Sequence, residues 1–223
     1  MGNVGQGLTL AALLAGLMTG CAAEKADSDG AAGASGASGA SATTTAKVAK
    51  RGGSVGASGS ACELPVTFDI AEFWKAKGVD AEEASAATGD LADLADAFLR
   101  QGPVTMACEV DAKPAGKIGF LRVWTGEPGD TDARAVLEDF VAAEQGASGA
   151  RYSTVKAGDI TGAEVAYVTT SELLEETKQE HAFAVTTSEG PVVLHLGGMD
   201  TAEHEAMLPA YELAKSTLHT TTG

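Results

Sequence analysis

The sequence predicts one α+β domain, an antiparallel sheet with helices packed on it, at the end of a structureless tether. Three observations point there. Beyond residue 60, apolar residues alternate with polar ones in several short runs, the mark of half-buried strands. Those runs are interrupted by stretches whose apolar residues recur at helical spacing. Residues 21–60 are instead built mainly from Ala, Gly, Ser and Thr, without Pro, and offer too little apolar surface to offset the entropy of ordering. In a chain of 223 residues, residues 61–223 are the right size for a single core.

Ahead of the tether, Leu8 to Met18 form an uncharged apolar run of eleven residues. A helix needs roughly 20 to cross a bilayer. A short apolar core followed by small residues is the pattern of a secretory signal, and here Thr19 and Gly20 lead directly into Cys21. The stretch Leu17-Met18-Thr19-Gly20-Cys21 resembles a bacterial lipobox. That resemblance implies that residues 1–20 are a lipoprotein signal peptide cleaved before Cys21, and that Cys21 carries a diacylglyceryl group with fatty acids such as palmitate. A cleaved signal of a freely secreted protein and a buried N-terminal helix are the alternatives. Two or more buried acyl chains hold a protein on a membrane stably, where one does not. The expected location is the extracytoplasmic face of the cell membrane. Treated as a Gly/Ser coil, the tether has a reach on the order of 35 Å, which lifts the domain off the membrane without fixing its orientation.

The formal charge is −16 and aromatic residues make up 5%. The core must therefore be built mostly from Val, Leu, Ala and a few Phe. So acidic a surface repels phosphate backbones and anionic headgroups. Nucleic acid is not an expected partner, and membrane contact is expected through the lipid anchor only. With Cys21 assigned to lipid, Cys62 and Cys108 remain as a pair, and outside the cytoplasm such a pair oxidises. Closing that loop contributes about 4 kcal/mol. Two buried thiols, or a nucleophilic Cys with a distant His, are the other readings.

Taken in order, Val66, Phe68 and Ile70 alternate as a first strand, and a change of period at Phe73-Trp74 predicts a short helical segment. Leu91, Leu94, Ala95 and Phe98 give a helix capped by Asp90 and stopped at Gly102-Pro103. Val104, Met106, Cys108 and Val110 predict a second strand with Cys108 on its buried face. The run from Ile118 to Trp124 is apolar on both parities, which suits a central strand covered on both sides. A helix starting at Asp130 or Thr131 carries the stripe Ala133, Val136, Leu137, Phe140 and Val141 and ends at Gly146.

Two short strands follow, Tyr152 to Lys156 and Ala163 to Thr170, joined at Gly158-Asp159. The segments from Thr177 to Thr187 and from Val192 to Leu196 form a hairpin. With Glu189-Gly190 as its two-residue loop, Phe183 faces Leu196 and Val185 faces Leu194. Asp200 and Glu203 resemble a capping box for a last helix with Met207, Tyr211, Ala214 and Leu218 inward. Pro209 predicts a kink, or a new helix starting near it.

From Leu64 to Leu218 this order resembles the PsbP-like fold of the extrinsic photosystem subunit and of actinobacterial lipoproteins of the LpqN type. The likeness lies in the element order, in Phe68-Asp69-Ile70 followed by Trp74, and in the terminal hairpin and helix. It implies a non-enzymatic binding or assembly module.

The chemistry is sparse. His181 and His195 have the same parity on opposite arms of the hairpin, so in the expected register they point to opposite sides of the sheet. Asp200, Glu203 and His204 lie within one helical turn and are weak candidates for a divalent cation. Neither a His-Glu-x-x-His zinc motif nor a Gly-x-Ser-x-Gly elbow is present. Glu172, Glu175, Glu176 and Glu180 read as hydrated loop or edge residues. Trp74, Trp124, Tyr152 and Tyr211 read as core. No catalytic residue and no cofactor is expected. The leading expectation is a membrane-anchored, non-catalytic module for a protein or a small apolar ligand. A hydrolase or metal-dependent enzyme, needing His195 to converge with Glu203 and His204, and a structural envelope protein are the alternatives.

Overall fold

The computed structural model describes residues 47–81 and 97–221, all within one compact unit, Thr44–Gly223. The lipidation site Cys21, the signal segment, most of the tether and the helix positions Leu91, Leu94 and Ala95 lie outside the described residues. The strands are β1 (Arg51–Val55), β2 (Val66–Ala71), β3 (Lys75–Gly78), β4 (Arg100–Gln101), β5 (Val104–Asp111), β6 (Gly119–Thr125), β7 (Ala147–Ala157), β8 (Ile160–Ser171), β9 (Glu176–Thr187), β10 (Gly190–Gly198) and β11 (His219–Thr220). Between β6 and β7 comes helix α1 (Ala133–Ala142), and between β10 and β11 comes α2 (Thr201–Ser216). Every strand pair is antiparallel. One sheet runs β3-β5-β6-β10-β9-β8-β7, with β4 also on β5, and a smaller one runs β1-β2-β11.

The large sheet is covered on both faces, and alternation along its strands feeds two cores. On one face Phe183, Val185, Leu194 and Leu196 meet Met207 and Tyr211 of α2 and Phe68 of the small sheet. On the other face Trp124, Val165, Tyr167 and Val193 meet Val136, Leu137, Phe140 and Val141, the stripe of α1. Asp132 caps α1, its carboxylate accepting from the N–H groups of Arg134 and Ala135, one or two residues beyond the expected start. In β5 all four alternating residues are buried, although a bulge between Met106 and Cys108 moves Met106 to the α1 face and Cys108 to the α2 face. Cys62 and Cys108 are joined by a disulfide, Cα atoms 5.8 Å apart, which pins the loop before β2 to the large sheet.

Five expectations are corrected. The tether was expected to run to residue 60, yet Arg51 to Val55 form β1 against β2, with Val55 in the core. Glycine hides this strand from a compositional reading, because a Cβ on Gly52 would sit 2.7 Å from the Ala71 carbonyl oxygen. Phe73 and Trp74 form a turn rather than a helix: Phe73 takes a φ of 70°, and β3 follows at once. Strand β7 is about twice and β8 about half again the expected length, because long antiparallel partners satisfy each other's backbone where side-chain alternation is weak.

The β9–β10 register is also different: Phe183 faces Leu194 and Val185 faces Val192. A shift of two leaves every side chain on its face, so burial could not choose, and the turn does. Thr187 Oγ1 donates to the Gly190 carbonyl and accepts from Glu189 N–H. Gly190 takes a φ of 120°. Lastly, α2 runs on as one helix with Pro209 inside it, so of the two alternatives the new helix starting near Pro209 does not form. The Pro209 carbonyl accepts from Ala49 N–H.

Candidate functional site

Helix α1 has ten residues, a length of about 15 Å. Strands lie about 4.8 Å apart, and a helix of this size packs chiefly on β7, β8 and β9, with Phe140 reaching Trp124 of β6. Toward β6, β5 and β3, among the described residues, the protein has a cavity of about 1140 Å³. Its floor includes Trp124 of β6, Glu180 of β9, and His195 and Gly197 of β10. Phe98, Ile118 and Met199 stand at its edge, each more than half exposed. Phe98 was expected to point inward from its helix. A second depression of about 1220 Å³ shares Glu144, Lys178 and Met199 with the first and reaches Leu173 and Leu174 at the β8–β9 turn.

The polar floor is two hydrogen-bonded groups that meet where Glu180 lies beside His195. Lys178 Nζ donates to Glu180 Oε1 at 2.7 Å, and Thr169 Oγ1 reaches the same oxygen at 3.5 Å. Tyr167 Oη donates to Glu144 Oε2 at 2.7 Å and lies 3.2 Å from His195 Nε2. A phenol has one proton, so with that proton on Glu144 it is His195 that donates, from Nε2, to the tyrosine oxygen. Glu180 Oε2 is 3.2 Å from the same ring nitrogen but out of line for a hydrogen bond. Among the described residues, Glu180 Oε2 and the indole nitrogen of Trp124 are both buried without a hydrogen-bond partner.

Burial raises the Glu180 carboxyl, and His195 and Lys178 together outweigh burial, so the group lies below its ordinary 4.5 and stays ionised. Burial, with Glu144 adding to it, pushes the Tyr167 hydroxyl far above the ordinary phenol range. Both groups are thus locked in one protonation state near neutral pH.

The opposite face holds a second polar pair. His181 Nδ1 and His204 Nε2 are 2.7 Å apart, with the rings stacked. Burial lowers both histidines, and the His181 charge helps bring His204 down to about 4. Both rings are therefore neutral at pH 7. Beside them Glu164 Oε1 accepts from Tyr211 Oη at 2.9 Å and from Lys215 Nζ at 2.7 Å.

The residues singled out in the sequence meet different fates. His181 and His195 do face opposite sides, His195 toward Phe140 and Tyr167 and His181 toward His204 and Tyr211. Asp200, Glu203 and His204 do not converge: Asp200 caps α2 through Glu203 N–H, Glu203 Oε2 accepts from Ile118 N–H, and His204 turns inward. Among the described residues no cluster of three or more metal-ligating side chains forms. His204 and His195 lie on opposite faces of the large sheet. Trp74, Trp124 and Tyr211 are buried, while Tyr152 lies half-buried under Arg134.

Glu180 corrects the acidic-cluster reading. Glu172, Glu175 and Glu176 are exposed, but Glu180 is fully buried. The available signal was its place in the alternation of β9, three residues before Phe183 and so on the opposite face, with the parity that puts it beside His195.

Fold and site together define a small antiparallel α+β domain with a polar-floored cavity beside its shorter helix. The chain belongs to a family of lipoproteins described as uncharacterised, whose model matches residues 32–218. No curated protein matches it. Among solved structures it is similar to the solution structure of cyanobacterial PsbP (CyanoP) from Synechocystis sp. PCC 6803, at 13% identity and a TM-score of 0.45, covering 76% of this chain and 98% of that one. Among the described residues no helix is long and apolar enough to cross a membrane.

Proposed function

We propose that this lipoprotein is a non-catalytic binding module, held on the extracytoplasmic face of the membrane through Cys21, and that the cavity beside α1 is its ligand site. One observation carries the reading: among the described residues, the cavity floor holds a buried donor, Trp124 Nε1, and a buried acceptor, Glu180 Oε2, that make no hydrogen bond, Glu180 Oε2 having only the His195 ring nitrogen at 3.2 Å beside it. Orphaned buried groups cost about 1–3 kcal/mol each, and a bound molecule can recover that. Proton-transfer groups work best with a pKa near the working pH. Glu180 and Tyr167 are displaced away from it in opposite directions, which suits holding a ligand rather than converting it. The tether lets the site reach a ligand or partner at some distance from the membrane.

Two measurements test this. The chain is expected to pellet with membranes and to be released or left unprocessed as Cys21→Ser; unchanged fractionation removes the anchor. The uncharged fluorophore N-phenyl-1-naphthylamine is expected to bind saturably, and Ile118→Glu with Met199→Glu at the cavity edge is expected to abolish that binding. Retention of dye binding in the double variant would place the ligand site elsewhere.

A further inference from the structure

Resting on that reading of the cavity, the ligand class follows from how its two orphaned atoms are spaced. Trp124 pairs with Val193 of β10. Glu180 lies opposite Gly197 on continuing the β9–β10 register beyond Leu196 and His181. The two positions are four residues apart along β10, about 13 Å of strand. With their backbone positions that far apart and on strands either side of β10, the ligand is expected to offer an acceptor and a donor at separate points.

Its charge is also constrained. A cation at Glu180 meets Lys178, already bonded to the same carboxylate. The walls carry Lys77 and Arg122 as well as Asp80, Glu109 and Glu144, with Arg122 held by Glu109, so the lining is close to balanced and favours an ion of neither sign. The edge, through Phe98, Ile118 and Met199, favours apolar substituents.

We propose that the cavity takes a short, uncharged peptide segment with apolar side chains, one carbonyl accepting from Trp124 Nε1 and one N–H donating to Glu180 Oε2, in space that Gly197 keeps open. A peptide repeats a donor and an acceptor at every residue, about 3.3 Å apart when extended, so a few residues span the two points. The role of Gly197 is specific. A Cβ there would meet Glu180 Oε2 at 3.5 Å and His195 Cε1 at 3.6 Å, ordinary contact distances that the fold tolerates but that cap the carboxylate. Water can occupy the empty floor, and a displacing ligand must reproduce its hydrogen bonds to gain affinity.

The test uses the full chain in detergent, labelled with nitrogen-15, and follows the two indole N–H resonances, with Trp74→Phe assigning them. The probe is the blocked tripeptide N-acetyl-Ala-Leu-Ala-amide. A saturable shift of the Trp124 resonance with the Trp74 resonance unmoved is expected. Gly197→Ala, with unchanged thermal unfolding, is expected to weaken binding by about tenfold or more. Equal binding by Gly197→Ala overturns the proposal. So does equal or tighter binding of maltotriose, or of the tripeptide with Lys or Asp at its centre. If N-phenyl-1-naphthylamine binds and the tripeptide does not, the peptide assignment falls while the cavity reading stands; if neither binds, both fall.

Discussion

The two faces of the large sheet are built from the same strands yet differ in kind. The α2 face is closed: a helix of sixteen residues and a second small sheet cover it, and Phe183, Leu194, Leu196 and Tyr211 are sealed beneath them. On the α1 face, among the described residues, the helix packs chiefly on β7, β8 and β9, and beside it lies a cavity whose floor holds Lys178 bonded to Glu180, and His195 bonded through Tyr167 to Glu144. Helix length is what separates them. A sheet has a similar alternation on both sides, and whichever face receives the shorter cover keeps a cavity.

The contrast can be broken hardest from the closed side. Phe183→Ala, fully buried between β9 and Tyr211, is expected to cost about 4 kcal/mol, read as a fall in the urea midpoint at unchanged slope. A loss under about 1 kcal/mol would mean that this core is loosely packed.

A pH series sharpens the comparison next. His204 is fully buried with a pKa of about 4 against an ordinary 6.5. Between those values the unfolded chain binds a proton that the folded chain refuses. Stability is therefore complete above pH 6.5 and drains away as pH falls toward 4, by about 3 kcal/mol. His204→Phe should flatten most of that slope, leaving the smaller share due to His181, which burial also lowers. A wild-type unfolding free energy that is constant between pH 7 and 5 would contradict it.

The smallest effect belongs to the open side. Glu180→Gln leaves Lys178 without its carboxylate, but Lys178 is 36% exposed and can turn to water, so about 2 kcal/mol is expected. Glu180 is depressed below 4.5, so its contribution is present above that pH and disappears as the medium acidifies through the folded pKa. The variant should lose that part of the acid sensitivity below pH 4.5 and no other, and calorimetry at pH 3.5 and 7 distinguishes the two.

Much of the fold could be read from the chain because burial leaves a periodic trace. The alternation at Val104, Met106, Cys108 and Val110 and the stripe from Val136 to Val141 are where the structure has them. Strand β1 was not legible, since Gly52 and Gly53 carry no side chain to alternate. Nor was the β9–β10 register, because two pairings differing by two residues bury the same surface and only the contacts of Thr187 and Gly190 separate them. Of the site, the parity that sends His195 and His181 to opposite faces was legible, but the partnership of Glu180 with Lys178 and His195 was not. Four acidic residues in a row of polar sequence look alike until a strand is drawn through one of them.

By itself the sequence determined which residues could be buried, where the chain turns and which cysteines could pair, because these depend on local chemistry and spacing of two or 3.6 residues. Only the tertiary structure decided that α1 lies chiefly over β7, β8 and β9, that Trp124 and Glu180 come to line one cavity, and that Gly197 leaves room above a charged carboxylate. Those facts join residues from different strands and depend on lateral distances across a sheet, which no one-dimensional pattern records.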